Sequence, residues 1–103
     1  MMRSSTQMFQ RVLKKFREKI KARHFVVTLH AVEELEDEGF SVLDIEHAIL
    51  TGEIATRQKD ADTREWKYLI KGRSLSDDEI VVVGKLSPTG KLVIITIYDE
   101  TES

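Results

Sequence analysis

Cysteine is absent from this chain, so disulfides, thiolate zinc sites and cysteine nucleophiles are all excluded. A chain without disulfides fits the reducing cytoplasm, which is the expected location. No apolar run approaches the ~18–20 residues that a membrane span requires, and no membrane partner is expected. The first residues show no short apolar stretch followed by a small-residue cleavage site, so no secretory signal is expected. Glycine is scarce and scattered, at positions 39, 52, 72, 84 and 90, which leaves no glycine-rich phosphate loop. No serine stands in a nucleophile-elbow pattern. What the 103 residues do hold is 41% apolar and 33% charged side chains, enough for one modest core in a single domain.

Charge is nearly balanced in total, at −2, but is unevenly spread. Residues 1–24 carry eight basic side chains (Arg3, Arg11, Lys14, Lys15, Arg17, Lys19, Lys21, Arg23) against Glu18 alone. Residues 25–53 carry eight acidic ones and no lysine or arginine, and residues 100–103 form a short acidic tail. A basic arm of this kind faces an acidic partner, the chain's own acidic segment, or nucleic acid.

Ser4, Ser5 and Thr6 offer cap oxygens before a run of helical period. Phe9, Val12, Leu13, Phe16 and Ile20 fall three or four residues apart, which predicts an amphipathic basic helix over about residues 6–22. Its apolar stripe is expected to dock on the domain or on a second copy, leaving Lys14, Lys15 and Arg17 outward or facing the acidic residues 33–38. Residues 25–29 form a short β-favouring run. A helix is predicted over 30–38 with Ala31 and Leu35 inward and Gly39 as its left-handed stop. Ser41 and Asp44 form a capping box for a second helix with Val42, Ile45, Ala48 and Ile49 as its stripe, ended by Gly52.

After Gly52 the period changes to two. Glu53–Lys59 reads as an edge strand. Trp66, Tyr68 and Ile70 alternate with Lys67, Leu69 and Lys71. Residues 80–86 and 92–98 are β-branched runs of central-strand character, joined by the turn residues Ser87-Pro88-Thr89-Gly90. Residues 60–64 and 74–79 are polar linkers, expected to be mobile. Helices first and an antiparallel sheet after predict an α+β fold, with the N-terminal helix and a short helical hairpin packed on three or four strands.

His30 has Glu33 and Glu34 one turn on, but no second histidine follows at metal-ligand spacing, so neither a metal nor another cofactor is expected. His47 reads as a boundary residue, and His24 has no evident partner. What remains suits phosphodiester chemistry, which needs a base for a ribose 2′-hydroxyl, cations for the phosphorane, and an acid for the leaving oxygen. His30, Lys71, Arg73 and Tyr98 supply those types, and Thr96 offers a hydroxyl to a phosphate. Thr96 and Tyr98 share a strand face, as do Lys71 and Arg73. Each also has a plain structural use, as an exposed strand end or half-buried packing.

The order of residues resembles a known family. Thr28-x-His30-Ala31 is followed by an acidic helix ending in Glu38-Gly39-Phe40-Ser41, then Asp44-Ile45-Glu46 and Thr51-Gly52-Glu53-Ile54. Later come Lys71-Gly72-Arg73, the Ile-Val-Val-Val strand at 80–83, and the run from Gly90 to Tyr98. Over residues 25–99 this is similar to the bacterial DUF4258 family, with the basic helix of residues 1–24 as an addition. The resemblance implies a RelE-like layout and a ribonuclease-type toxin whose partners are RNA and a small antitoxin protein. His30, Lys71, Arg73, Thr96 and Tyr98 would be its catalytic group. The chain departs from the family where an arginine-methionine-acidic-acidic-arginine pattern follows the His-Ala pair. Here that stretch is Glu34-Leu35-Glu36-Asp37-Glu38, and a histidine of the penultimate strand falls at Glu79 or Ile80. Acids in place of cations repel RNA. The competing expectation is a catalytically inactive domain of the same fold that binds a protein or forms a homodimer.

Overall fold

A computed structural model describes residues 4–100, with side chains from residue 7 onward. Arg3, the cap oxygens expected of Ser4, Ser5 and Thr6, and the tail at 101–103 lie outside what is described. The first helix, α1 (Ser4–Lys21), buries Leu13, Phe16 and Ile20, with Phe9 and Val12 packed on the rim of the same cluster. The stripe docks on this domain itself. Phe9 and Phe16 both meet Tyr68 edge-on, at 6.4 and 5.7 Å between ring centroids.

Two capped helices follow. Thr28 caps α2 (Leu29–Glu38) by accepting the Ala31 N–H, and Gly39 closes it at φ 76°. In α3 (Val42–Thr51), the Asp44 carboxylate accepts the Ser41 N–H at 2.9 Å, as a capping box requires. Asp44 is buried, and its second oxygen accepts the Leu75 N–H at 2.8 Å, so one charge secures both a helix start and the loop at 74–79. Ile45, Ala48 and Ile49 are buried, whereas Val42, expected on the stripe, sits outside it and is exposed.

Arg17 corrects the expectation that it faces the acidic residues 33–38 or solvent. Helix α1 lies beside α3, and the Arg17 guanidinium donates to the carbonyls of Ile49 and Gly52, each at 2.9 Å. The last carbonyls of a helix have no intrahelical donor, and a rigid fork of N–H groups supplies it.

The sheet is five-stranded and mixed, which corrects the expected three or four antiparallel strands. Its strands are β1 (Phe25–Val27), β2 (Glu53–Lys59), β3 (Trp66–Arg73), β4 (Glu79–Leu86) and β5 (Leu92–Asp99), in the order β1-β5-β4-β3-β2. All neighbours are antiparallel except β1 and β5. That pair is parallel because α1 delivers the chain where β5 begins: the Leu92 N–H bonds the His24 carbonyl, and Phe25 aligns with Leu92. A three-residue run carries too little pattern to announce so distant a partner.

Both polar linkers are hydrogen-bonded turns. Ser74 is buried, and its hydroxyl accepts the N–H groups of Ser76 and Asp78. In the other linker, the Asp60 carboxylate accepts the N–H groups of Asp62 and Thr63, at 2.9 and 3.0 Å. The Thr63 bond first, and then the Asp62 bond, hold the Asp60 carboxyl below the usual aspartate range. A folded value below the unfolded one means that stability is gained above the ordinary aspartate value, about 3.9. It is lost as pH falls through the folded value. Melts of wild type and Asp60→Asn are therefore expected to differ at neutral pH and to converge in acid. A difference that is constant from neutral pH to pH ~2 would contradict this assignment. Among the described residues no helix is long and apolar enough to cross a membrane.

Candidate functional site

Side chains alternate along a strand, so the register divides the sheet into two faces. Ile70, Val82 and Ile97 lie in one cross-strand row and belong to the core that all three helices cover. The next row, Lys71, Val81 and Tyr98, therefore points to the opposite face, as does the row Leu69, Val83 and Thr96. Among the described residues, no helix packs its buried apolar side chains on that second face. Val81 and Val83 are buried there all the same, set between their larger neighbours. Two strand spacings place Lys71 and Tyr98 about 10 Å apart. This open face holds four of the five sequence-predicted residues: Lys71, Arg73, Thr96 and Tyr98.

The fifth, His30, reaches the face through Glu34, four residues further along α2. Strand β1 pairs with β5 no further than Ile94, so the edge of β5 beyond it lacks a strand partner. Helix α2 fills that role with side chains. The Thr28 hydroxyl donates to the Ile95 carbonyl at 3.1 Å, and the Glu34 carboxylate accepts the Ile97 N–H at 3.0 Å. The same Glu34 oxygen accepts the Thr96 hydroxyl, and its other oxygen stands 3.3 Å from Nε2 of His30. Glu34 thus ties an exposed imidazole to β5, two residues from Tyr98. The spacing of His30 and Glu34, four residues on a helix, was the available signal. The strand edge that Glu34 serves had no local signal.

The cations are less free than their spacing implied. Lys71 pairs with Glu100 at 3.2 Å. Arg73 pairs with Glu79 at 3.3 Å and Asp77 at 3.6 Å, and donates to the Asp77 carbonyl at 3.0 Å. Further along the face, Lys67 pairs with Asp60 and Lys85 with Glu65. The Thr96 hydroxyl is likewise engaged, by Glu34. Lys71 and Arg73 line a groove of about 600 Å³ together with His47, Thr51, Glu53 and Glu100. His47, read as a boundary residue, is placed there by a contact of 2.8 Å between Nδ1 and the Arg73 carbonyl. His30, Thr96 and Tyr98 form one subset at the β5 edge, and Lys71 and Arg73 another at the end of β3. The row through Val81 joins the two.

Neither curated proteins nor solved structures provide a significant match to this chain. The sequence profile of one family, described as "Domain of unknown function (DUF4258)", matches residues 27–99. That span takes in α2, α3, strands β2 to β5, the four open-face residues and His30, and leaves α1 outside. With well over half of its length matched, the chain belongs to the DUF4258 family.

Proposed function

We propose that the chain is a small metal-independent endoribonuclease of the toxin type, acting in a bacterial cytoplasm and restrained by a small antitoxin protein. The observation that carries this reading is the carboxylate of Glu34 holding the His30 imidazole beside the strand that bears Tyr98, on a sheet face no helix covers. Helices on one face of a sheet and reactive side chains on the other is the layout expected of a RelE-like domain.

In the reaction, a 2′-hydroxyl oxygen attacks phosphorus, the bond to the 5′-oxygen breaks, and a 2′,3′-cyclic phosphate and a 5′-hydroxyl result. His30, oriented by Glu34 on Nε2, takes the 2′-hydroxyl proton at Nδ1. Tyr98 gives its phenolic proton to the leaving 5′-oxygen. Lys71 and Arg73 stabilise the charge on the phosphorane once RNA displaces Glu100, Asp77 and Glu79 from them.

The test is incubation of the purified chain with single-stranded RNA, followed by analysis of the new ends. Cleavage leaving 2′,3′-cyclic phosphates is expected. His30→Ala and Tyr98→Phe should each lower the rate ~10²–10⁴-fold, and Arg73→Ala ~10²–10³-fold. Expression in a bacterial host should arrest growth, and these variants should relieve it. Intact RNA beside a folded protein, or unchanged rates in all three variants, would overturn the reading.

One observation favours a second reading. On the open face Lys67, Lys71, Arg73 and Lys85 each carry a carboxylate partner, so a polyanion meets a largely neutralised surface there. A non-catalytic domain that binds a protein of mixed charge needs nothing more positive. Folded protein that leaves RNA intact and arrests no growth is the result that selects it.

A further inference from the structure

Lys67, Lys71, Arg73 and Lys85 of the open face are paired, and the cations of α1 contrast with them. Arg11, Lys14, Lys15, Lys19 and Lys21 have no carboxylate partner among the described residues, although Glu18 stands on the same helix. The apolar stripe of α1 is turned into the core, so Arg11, Lys14, Lys15 and Lys21 are exposed on the helix side of the sheet, opposite the open face, while Lys19 reaches toward Gly90. The cationic face is therefore not an extension of the candidate site.

The chain carries a complement to it. On α2, Glu33, Glu36 and Asp37 are exposed and likewise have no cationic partner among the described residues. Their spacing, i, i+3, i+4, equals that of Arg11, Lys14 and Lys15 on α1. Each stripe also begins with an exposed apolar residue one turn before its first charge: Met8 three positions before Arg11, and Leu29, 74% exposed, four before Glu33. Positions i, i+3, i+4 and i+7 share one side of a helix, so each helix presents an apolar residue followed by charges of one sign. Within one molecule the two stripes do not meet, because α1 lies against α3 and α2 against β5.

We infer that the outward face of α1 docks on α2 of a second copy of this chain. In a two-fold dimer the contact occurs twice, α1 on the partner's α2 and α2 on the partner's α1. Met8 meets Leu29, and the lysines meet Glu33, Glu36 and Asp37. Unlike charges fix which surfaces meet, and the apolar pair adds contact area. The interaction weakens with salt because its charges lie at the surface.

Charge exchange tests it. Sedimentation of the full chain at low ionic strength should show a dimer that dissociates as salt is raised to about 1 M, where the screening length is ~3 Å. Lys14→Glu with Lys15→Glu, and separately Glu36→Lys with Asp37→Lys, should each give folded monomers whose melting no longer depends on protein concentration. Mixing the two double variants restores both contacts, and so should restore the dimer. A wild-type chain that is monomeric at low salt, or two double variants that stay apart when mixed, overturns the inference. Loss of RNA binding in the lysine variant with no change in mass also overturns it, assigning the face to nucleic acid. RNA cleavage is read separately, by the new ends it leaves, because His30 lies on the same helix as Leu29 and Glu33 and mass alone reports the dimer.

Discussion

Removal of residues 1–22 is expected to abolish cooperative unfolding and to drive the remaining chain into aggregates. The expectation rests on what α1 contributes to a core of this size. Leu13, Phe16 and Ile20 are at most 8% exposed, and Phe9 and Val12 pack beside them. At ~1.5–3 kcal/mol for each buried side chain, and after part of that is lost to ordering, the stripe supplies about 5–10 kcal/mol. Small domains hold ~5–15 kcal/mol in total, so little would remain. The truncation also uncovers Tyr68 and takes the Arg17 guanidinium from the carbonyls of Ile49 and Gly52. The family match begins only at residue 27, yet the matched part leans on the helix before it. In the full-length chain, Phe16→Ala should cost about 3–5 kcal/mol, because the site is closed on all sides and cannot easily collapse. Urea unfolding of the point variant and calorimetry of the truncated chain measure the two. A truncated chain that stays soluble and melts at the wild-type temperature would show α1 to be a detachable arm.

Local chemistry was legible wherever one residue or one period decides the outcome. Gly39 stops α2 because a left-handed position favours glycine, and Asp44 caps α3 because its carboxylate reaches back three residues. The apolar stripe of α1 and the alternation around Trp66, Tyr68 and Ile70 were legible for the same reason. Partner choice between distant segments was not. Nothing local in Phe-Val-Val announces a parallel pairing with residues 92–94. Nothing in Arg17 distinguishes a side chain that closes a neighbouring helix from one that faces solvent. The candidate site divides along the same line. His30, Lys71, Arg73, Thr96 and Tyr98 were found by residue type, because their chemistry belongs to the side chain alone. Glu79 and Glu100, which neutralise Arg73 and Lys71, come from other elements and needed the fold, as did the reach of Glu34 from α2 to Thr96.

Gly72→Ala is expected to lower stability by at least 2–3 kcal/mol, the upper part of the range for overpacked sites. For a domain of this length that corresponds to a fall of ~10–20 °C in Tm. Gly72 sits where α3 rests directly on β3. A Cβ at this position would lie 2.5 Å from the Ala48 carbonyl oxygen, 2.8 Å from its Cα and 2.9 Å from its Cβ. None of those atoms can rotate aside, so relief requires the helix to rise from the sheet. Gly52 faces Gly72 across the same contact, and a Cβ there would meet the carbonyls of Lys71 and Ala48. Gly84 is a matched control in the buried part of β4, since its nearest obstacle, Cδ1 of Leu92 at 3.3 Å, is the end of a flexible side chain. Gly84→Ala should therefore cost under about 1 kcal/mol, in the range of well-tolerated core changes. The pair also links the fold to the candidate site. Lys71 and Arg73 flank Gly72, and the Arg73 carbonyl meets His47 of α3, so lifting the helix displaces both cations together. Thermal melts of the two variants decide the matter, and equal losses at Gly72 and Gly84 would show that α3 does not bear on β3 this closely. If the chain cleaves RNA, Gly72→Ala held below its own Tm should also lose rate, whereas Gly84→Ala should keep it.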